Sequence, residues 1–264
     1  PANMLVQGDS TGDPDVLSWL KQYIKEKYQK PGEAFIGLVH RMDRPVGGLL
    51  VFARTSKAAS RLSEQVRTHE LCREYVCVCQ SDAPDRFTLH DWLQKDEAAN
   101  KVKVIPSYLK LQGKEAILHG RGVARRSGHS LVCIRLETGR AHQIRVQMQH
   151  AGHPLWGDNR YGSGKRGQQI ALWGMRLTLN HPITGESMLF IAPPPESAPW
   201  TAFTRELDGV QFFNDSKGTN VDSTIQAVRA MKRPTVLILG GYDKHTDFTP
   251  LCDVIMKSTT QSIV

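Results

Sequence analysis

The sequence predicts an α+β fold: a mixed, mainly antiparallel sheet with flanking helices, followed by a small truncated α/β unit. Three observations lead there. Strand-length runs recur between residues 35 and 191, joined by short connections rich in turn residues, which favours antiparallel neighbours. Helical apolar spacing appears near the front of the chain and again after residue 140. From Val210 the texture changes to an alternation of strand, helix and strand, the mark of an α/β unit.

Taken in order, Asp13-Pro14 reads as a helix start, with an acidic N-cap and proline at the first helical position. Val16, Leu17, Leu20, Tyr23 and Ile24 then recur at helical spacing and predict one buried face, and Pro31-Gly32 ends the helix. Lys21, Lys25, Lys27 and Lys30 lie mostly off that stripe. Phe35 to Val39 and Leu49 to Ala53 read as strands on either side of a charged turn, His40-Arg41-Met42-Asp43-Arg44-Pro45-Val46-Gly47-Gly48. A second helix starts near Ser56 with Ala59, Leu62 and Val66 inward. Arg73 to Cys79 alternates as a strand does, and Thr88–Leu93, Lys101–Ile105, Glu115–Ala124 and Ser130–Leu136 continue the sheet. Ala141 to Ala151 reads as a helix with Ile144, Met148 and Ala151 inward, closed by Gly152. Strands at Ile170–Leu179 and Met188–Ile191 follow, before Pro193-Pro194-Pro195 breaks the pattern.

Composition narrows the function classes. The 264 residues are 40% hydrophobic with mixed charge, which describes a soluble globular chain. No apolar run approaches the ~20 residues that span a bilayer, and no basic-then-apolar leader stands at the front. Five cysteines without a C-x-x-C pair read as reduced thiols in a cytoplasm, with Cys77 and Cys79 sharing one strand face as packing. The net charge of +8 sits entirely in residues 1–203, which carry 27 basic and 19 acidic side chains, whereas from Thr204 onward there are seven of each. A basic first part fits a polyanionic partner. His142, His150 and His153 lack a carboxylate or thiol companion at metal-ligand spacing, so no metal site is expected.

The turn around Asp43 displays a lone carboxylate between Arg41 and Arg44, on a loop between two strands, where catalytic groups are common. It resembles the H-R-L-D-x-x-T-S-G motif of RluA-type RNA pseudouridine synthases. Met42 replaces the leucine, a volume-conserving change, and Val46-Gly47-Gly48 stands in place of Thr-Ser-Gly. Thr138-Gly139-Arg140-Ala141-His142-Gln143-Ile144-Arg145, followed by Gly152-His153-Pro154 through Gly157-Asp158 to Tyr161-Gly162, is similar to the second signature of that family. Tyr75, 32 positions after Asp43 and preceded by a basic residue in its strand, matches the family's tyrosine. The resemblance covers residues 1–203 and implies a pseudouridine synthase fold with its first strand ahead of Pro1. It implies isomerisation of specific uridines in structured RNA (rRNA or tRNA), by a cytoplasmic monomer that uses no cofactor. Asp43 is then the catalytic carboxylate, acting as nucleophile on C1′ or as the base that removes the 2′ proton; both routes stay open. Arg145 pairs with it, and Tyr75 stacks on the base. Arg41, Arg44, Arg140, His142 and Gln143 contact RNA.

The tail carries other motifs. Asn214-Asp215-Ser216-Lys217-Gly218-Thr219-Asn220 and Gly240-Gly241-Tyr242-Asp243-Lys244 resemble the opening of the C-terminal domain of MurD-type Mur ligases. That resemblance implies that Lys217 and Thr219 are remnants of an amino-acid substrate site, and that residues 204–264 are part of a longer domain. Ligase activity is not expected, because no G-x-x-x-x-G-K-[ST] phosphate loop is present. Two other readings compete: a non-catalytic RNA-binding protein, which would lack one of Asp43, Tyr75 or Arg145, and a Mur ligase-like fragment acting through the tail.

Overall fold

A computed structural model of the chain describes residues 2–165, 167–195, 197 and 200, and, further on, Ile225, Val228, Arg229, Thr235–Leu237, Thr249–Met256, Ser258 and Thr260–Ile263. The chain divides into two compact units, Pro1–Val210 and Gln211–Val264. Among the described residues no helix is long and apolar enough to cross a membrane.

The first unit is built on one sheet. Its strands are β4 (Cys72–Cys79), β5 (Phe87–Asp96), β6 (Lys101–Ile105), β7 (Lys114–Arg126), β8 (His129–Leu136), β9 (Leu172–Asn180) and β10 (Ser187–Ile191). They lie in the order β10-β9-β4-β8-β7-β5-β6, every pair antiparallel. A short strand, β2 (Gly47–Gly48), joins β9 in parallel and makes the sheet mixed. The α+β class read from the sequence is therefore the observed one. Strand β4 lies between β8 and β9, and Val76, Cys77, Val78 and Cys79 are all fully buried. Both of its faces are covered, so the run is apolar throughout. On one face Tyr75, Cys77, Cys79, Leu118, Val132 and Ile134 pack with Ile144 and Met148 of α3 (Gln143–His150). On the other, Val76, Val78 and Leu131 pack with Ala171, Trp156, Trp173 and Trp200.

The two leading helices also form, with corrections. Helix α1 spans Val16–Lys27, and its N-cap is Asp15, whose carboxylate accepts from the Ser18 N–H at 2.9 Å. Asp13 is not the cap, because it pairs with Arg44 at 2.6 Å. Ile24, Leu17 and Leu20 pack on Ala34, Ile36 and Phe52, but Tyr23 is 40% exposed and stacks on Trp19, with ring centroids 5.4 Å apart. The apolar stripe is thus narrower than its spacing predicts, because α1 meets the rest of the unit along one edge only. Helix α2 (Ser56–Arg67) begins as expected, with Thr55 as N-cap. It buries Leu62 and Gln65, and the Gln65 amide exchanges two hydrogen bonds with the Asn180 backbone at the end of β9.

The runs flanking the charged turn are shorter as strands than predicted. Only β1 (Gly37–Leu38) and β3 (Phe52–Ala53) pair, with Gly37 opposite Ala53 and Leu38 opposite Phe52. The turn between them is consequently long, and its shape comes from the main sheet.

The second unit contains β11 (Thr235–Leu237) and β12 (Thr260–Ile263), paired in parallel, with α4 (Thr249–Met256) between them in the chain. Parallel neighbours joined through a helix give this unit its α/β character. Ile225, Val228 and Leu251 form its buried cluster among the described residues. Lys217 and Thr219 lie outside the described residues.

Candidate active site

The turn that carries Asp43 is held by backbone contacts. The Val46 N–H donates to the Asp43 carbonyl at 2.9 Å and closes a tight turn. The Asn3 N–H donates to the Arg44 carbonyl at 2.8 Å, and the Gln169 amide donates to the Pro45 carbonyl. Gly47 and Gly48 then pair with Trp173 and Gly174 of β9, and the Leu49 N–H donates to the Gly174 carbonyl at 2.9 Å. Both glycines are required by this approach. A Cβ on Gly47 would overlap the Trp173 ring, and one on Gly48, where φ is +125°, would overlap the Gly174 backbone. The pair that replaces Ser-Gly of the motif is therefore packed against the sheet, and close backbone contact holds the loop.

Arg145 arrives from the opposite direction, on α3. The chain enters that helix through His142 in the left-handed region, at φ +52°. Gln143 locks the entrance: its Oε1 accepts from the Thr138 hydroxyl at 2.8 Å and the Arg140 N–H at 2.9 Å, and its Nε2 donates to the Ile117 carbonyl at 3.0 Å. Arg145 is 4% exposed. Its Nε and Nη2 each donate to one oxygen of Asp158 at 2.8 Å, and its Nη1 donates to Asp43 Oδ2 at 3.3 Å. Asp158 also accepts the N–H groups of Arg160 and Tyr161 at 2.9 and 3.1 Å. Burial works against the charge of Arg145, but the Asp158 carboxylate, with Asp43 behind it, raises its pKa above the usual arginine range. Burial likewise opposes the charge of Asp158, and Arg145 with the two backbone N–H groups still holds its pKa below 3.8. The fork thus fixes a permanent cation against the one carboxylate oxygen of Asp43 that it reaches.

Tyr161 completes this support. Its ring lies 5.1 Å from the Arg145 guanidinium carbon. Its oxygen accepts from the Val102 N–H at 2.9 Å and contacts His142 Nδ1 at 2.7 Å. His142 Nε2 lies 4.0 Å from Asp43 Oδ1. Burial lowers the His142 pKa, Asp43 opposes that shift, and the Arg145 and Arg160 charges add to it. A neutral imidazole follows, with its Nε2 edge toward Asp43.

Tyr75 rises from the centre of β4 and is 6% exposed. Burial raises its pKa, Arg73 opposes that shift, and the charge of Asp43 adds to it, so the phenol stays protonated. Met42 packs against the same cluster. The expected trio is thus brought together: Asp43 touches Arg145 across 102 positions of sequence and lies close enough to Tyr75 to act on its pKa.

The expected RNA contacts divide. Arg41 and Arg44 are exposed on the turn, and Arg44 is held by Asp13 at 2.6 Å. Arg140 is exposed, with its Nε donating to the Glu115 carbonyl at 2.7 Å. His142 faces Asp43 instead of an outer surface. Gln143 is 3% exposed, and its amide serves the loop before α3, which is a framework position. Asp158 and Tyr161 stood in the quoted signature without a role. The signal for them was their place in the motif, since no local pattern says which polar side chain meets Arg145.

Comparison with known proteins agrees with this geometry. Residues 1–150 match the RNA pseudouridylate synthase family. The chain is 34% identical over 204 residues to ribosomal large subunit pseudouridine synthase D of Vibrio vulnificus, covering 72% of this chain and 61% of that protein. The same identity holds for the enzymes of that name from Yersinia pestis, covering 73% and 62%, and Neisseria meningitidis, covering 74% and 54%. The chain therefore spans only 54–62% of the length of these relatives. The fold is shared with human RNA Pseudouridylate Synthase Domain Containing 4, at a TM-score of 0.62 and 19% identity over 74% of this chain and 83% of that one. By the family match over more than half its length, and by the shared fold, this chain belongs to the RNA pseudouridylate synthase family.

Proposed function

We propose that the chain isomerises uridine to pseudouridine in structured RNA, with residues 1–203 as the catalytic domain and no cofactor. The names of the relatives point to large-subunit rRNA as the substrate. The observation that carries the reading is the Asp43–Arg145 ion pair, with Arg145 held by Asp158 and with Tyr75 near enough for the charge of Asp43 to act on its phenol. The target uridine leaves its stack at a cost of about a few kcal/mol. Arg41 fills or clamps the vacated position, and Arg44 and Arg140 hold phosphates, which makes affinity salt-sensitive. Tyr75 stacks on the base. Asp43 attacks C1′ or takes the 2′ proton, the C1′–N1 bond breaks, the uracil turns, and C5 bonds to C1′. The C5 proton is then lost to solvent, while Tyr75, its phenol protonated, stays stacked on the base.

Tritium release from RNA carrying 5-³H-uridine tests this. The wild-type chain is expected to release tritium and Asp43→Asn to release none. Undiminished release by the variant, or none by the wild type, overturns the reading. The same protein is expected to act as a cytoplasmic monomer, and a dimer mass in gel filtration would contradict that state. For residues 204–264 the motifs around Lys217 and Thr219 support a fused, partial Mur ligase-like domain without ligase activity. Measured ATP binding by the purified chain would reverse this.

A further inference from the structure

Two buried donors, His40 three residues before Asp43 and Arg73 two before Tyr75, are used by none of the roles above, and the charge of Arg73 reaches the His40 ring. Arg73 stands two residues before Tyr75 on β4 and points to the same face of the sheet. It is 8% exposed. Its Nε is buried without an acceptor, and among the described residues no carboxylate forms an ion pair with it. The guanidinium lies against Gly139, where a Cβ would come within 2.6 Å of Nη1, so the bare backbone of the Thr138-Gly139-Arg140 loop makes its room. His40, from the turn that carries Asp43, is 7% exposed. Its Nε2 accepts from the Val51 N–H at 3.4 Å, so the proton of the neutral ring sits on Nδ1, and Nδ1 has no acceptor. Burial, with the charge of Arg73 added, holds the His40 pKa down at about 4, which keeps that tautomer neutral at physiological pH.

Buried N–H donors are almost always satisfied, and a buried cation without a counter-charge is costlier still. Both groups here are donors, and one is cationic. What they lack is an oxygen that carries or gains negative charge. The reaction proposed above supplies one. When C1′–N1 breaks, its electron pair leaves with the uracil and spreads onto the carbonyl oxygens. The pair returns as the C5–C1′ bond, C5 loses its proton and N1 gains one. We infer that Arg73 and His40 form the subsite for a uracil carbonyl oxygen, where Arg73 stabilises the ring as a leaving anion. The inference rests on reading the Asp43–Tyr75 site as a uridine site. A backbone phosphate offers similar acceptor chemistry, but the depth of Arg73, beside a tyrosine only 6% exposed, favours a group that enters with the base.

The test compares Arg73→Gln and Arg73→Lys with the wild-type chain in single-turnover reactions on two RNAs, one with uridine and one with 5-fluorouridine at the target. Substrate loss is read by nuclease digestion and mass spectrometry. Fluorine withdraws electrons and makes the ring a better leaving anion, so it needs Arg73 less. Arg73→Gln is expected to slow the uridine reaction about 100-fold and the 5-fluorouridine reaction far less, with Arg73→Lys between. Lysine keeps the charge and serves if the glutamine variant does not fold. Equal slowing of both RNAs overturns the inference and leaves Arg73 a packing role. An unchanged single-turnover rate with weaker RNA binding, and a log affinity against log salt slope shallower by about one, puts a phosphate there and also overturns it. A wild-type chain inactive on both RNAs removes the proposed function itself, and this inference with it.

Discussion

Asp158→Asn isolates what the buried fork does for the site. The substitution keeps the shape and one carbonyl oxygen, which continues to accept the Arg160 and Tyr161 N–H groups. It removes the charge and half of a two-bond fork whose N···O distances are both 2.8 Å. Asp158 is 1% exposed and Arg145 4%, so water does not replace the lost carboxylate. Breaking a buried pair by removing one partner costs about 3–5 kcal/mol. Asp43 remains 3.3 Å from Arg145 and compensates in part, which places the expected loss near the lower bound, about 3 kcal/mol. In a unit spanning Pro1–Val210 that lowers Tm by roughly 6–12 °C. The pH dependence follows from the direction of the shift. The folded pKa of Asp158 lies below 3.8, so its contribution is complete above that value and is lost as pH falls through the folded pKa. The variant has already lost it at neutral pH, and the two proteins converge in acid. Calorimetry from pH 7 down into acid well below 3.8 reads this directly. Tritium release is expected to drop about 100-fold, because Arg145 is no longer held against Asp43. A variant that melts within 1 °C of wild type at pH 7, or a gap that stays constant into acid, refutes the argument.

Three further outcomes follow from the same contacts. The His40 pKa of about 4 lies below the ordinary 6.5, so the unfolded chain takes up a proton that the folded chain refuses. Stability is therefore complete above pH 6.5 and declines by up to about 3 kcal/mol as pH falls toward 4; urea midpoints across that range check this, and a His40→Asn variant with an unchanged slope contradicts it. Gly48→Ala is expected to destabilise by about 1–3 kcal/mol or more and to abolish activity, whereas Gly32→Ala, with nothing within 4 Å of the new methyl, stays within about 0.5 kcal/mol of wild type. Tyr161→Phe leaves the Val102 N–H and His142 Nδ1 without a partner, and denaturant unfolding is expected to show a loss of about 1–2 kcal/mol; an unchanged midpoint means that water serves both groups equally well.

Much of the fold could be read from local pattern. The strands from β4 to β10 sit where alternation and turn residues predict them, and α2 starts at Ser56, where it is expected. The misses share one cause. Asp13 looked like the cap of α1, but Arg44, more than thirty positions away, claims its carboxylate. Tyr23 fitted the apolar stripe, but the unit offers α1 only a narrow edge, and the ring stacks on Trp19 in the open. Gly47-Gly48 looked like turn punctuation, yet it is a strand pressed onto β9. Gln143 was expected to contact RNA, and its buried amide instead braces a loop.

The linear chain therefore sufficed to single out Asp43, Tyr75 and Arg145, because the resemblance that points to them is carried by short motifs of neighbouring residues. It was silent on what stands behind them. The fork from Asp158, the Tyr161–His142 link and the unpaired cation at Arg73 depend on sheet register and on where α3 docks. Those are settled by packing among segments far apart in sequence, where no short-range pattern carries the information.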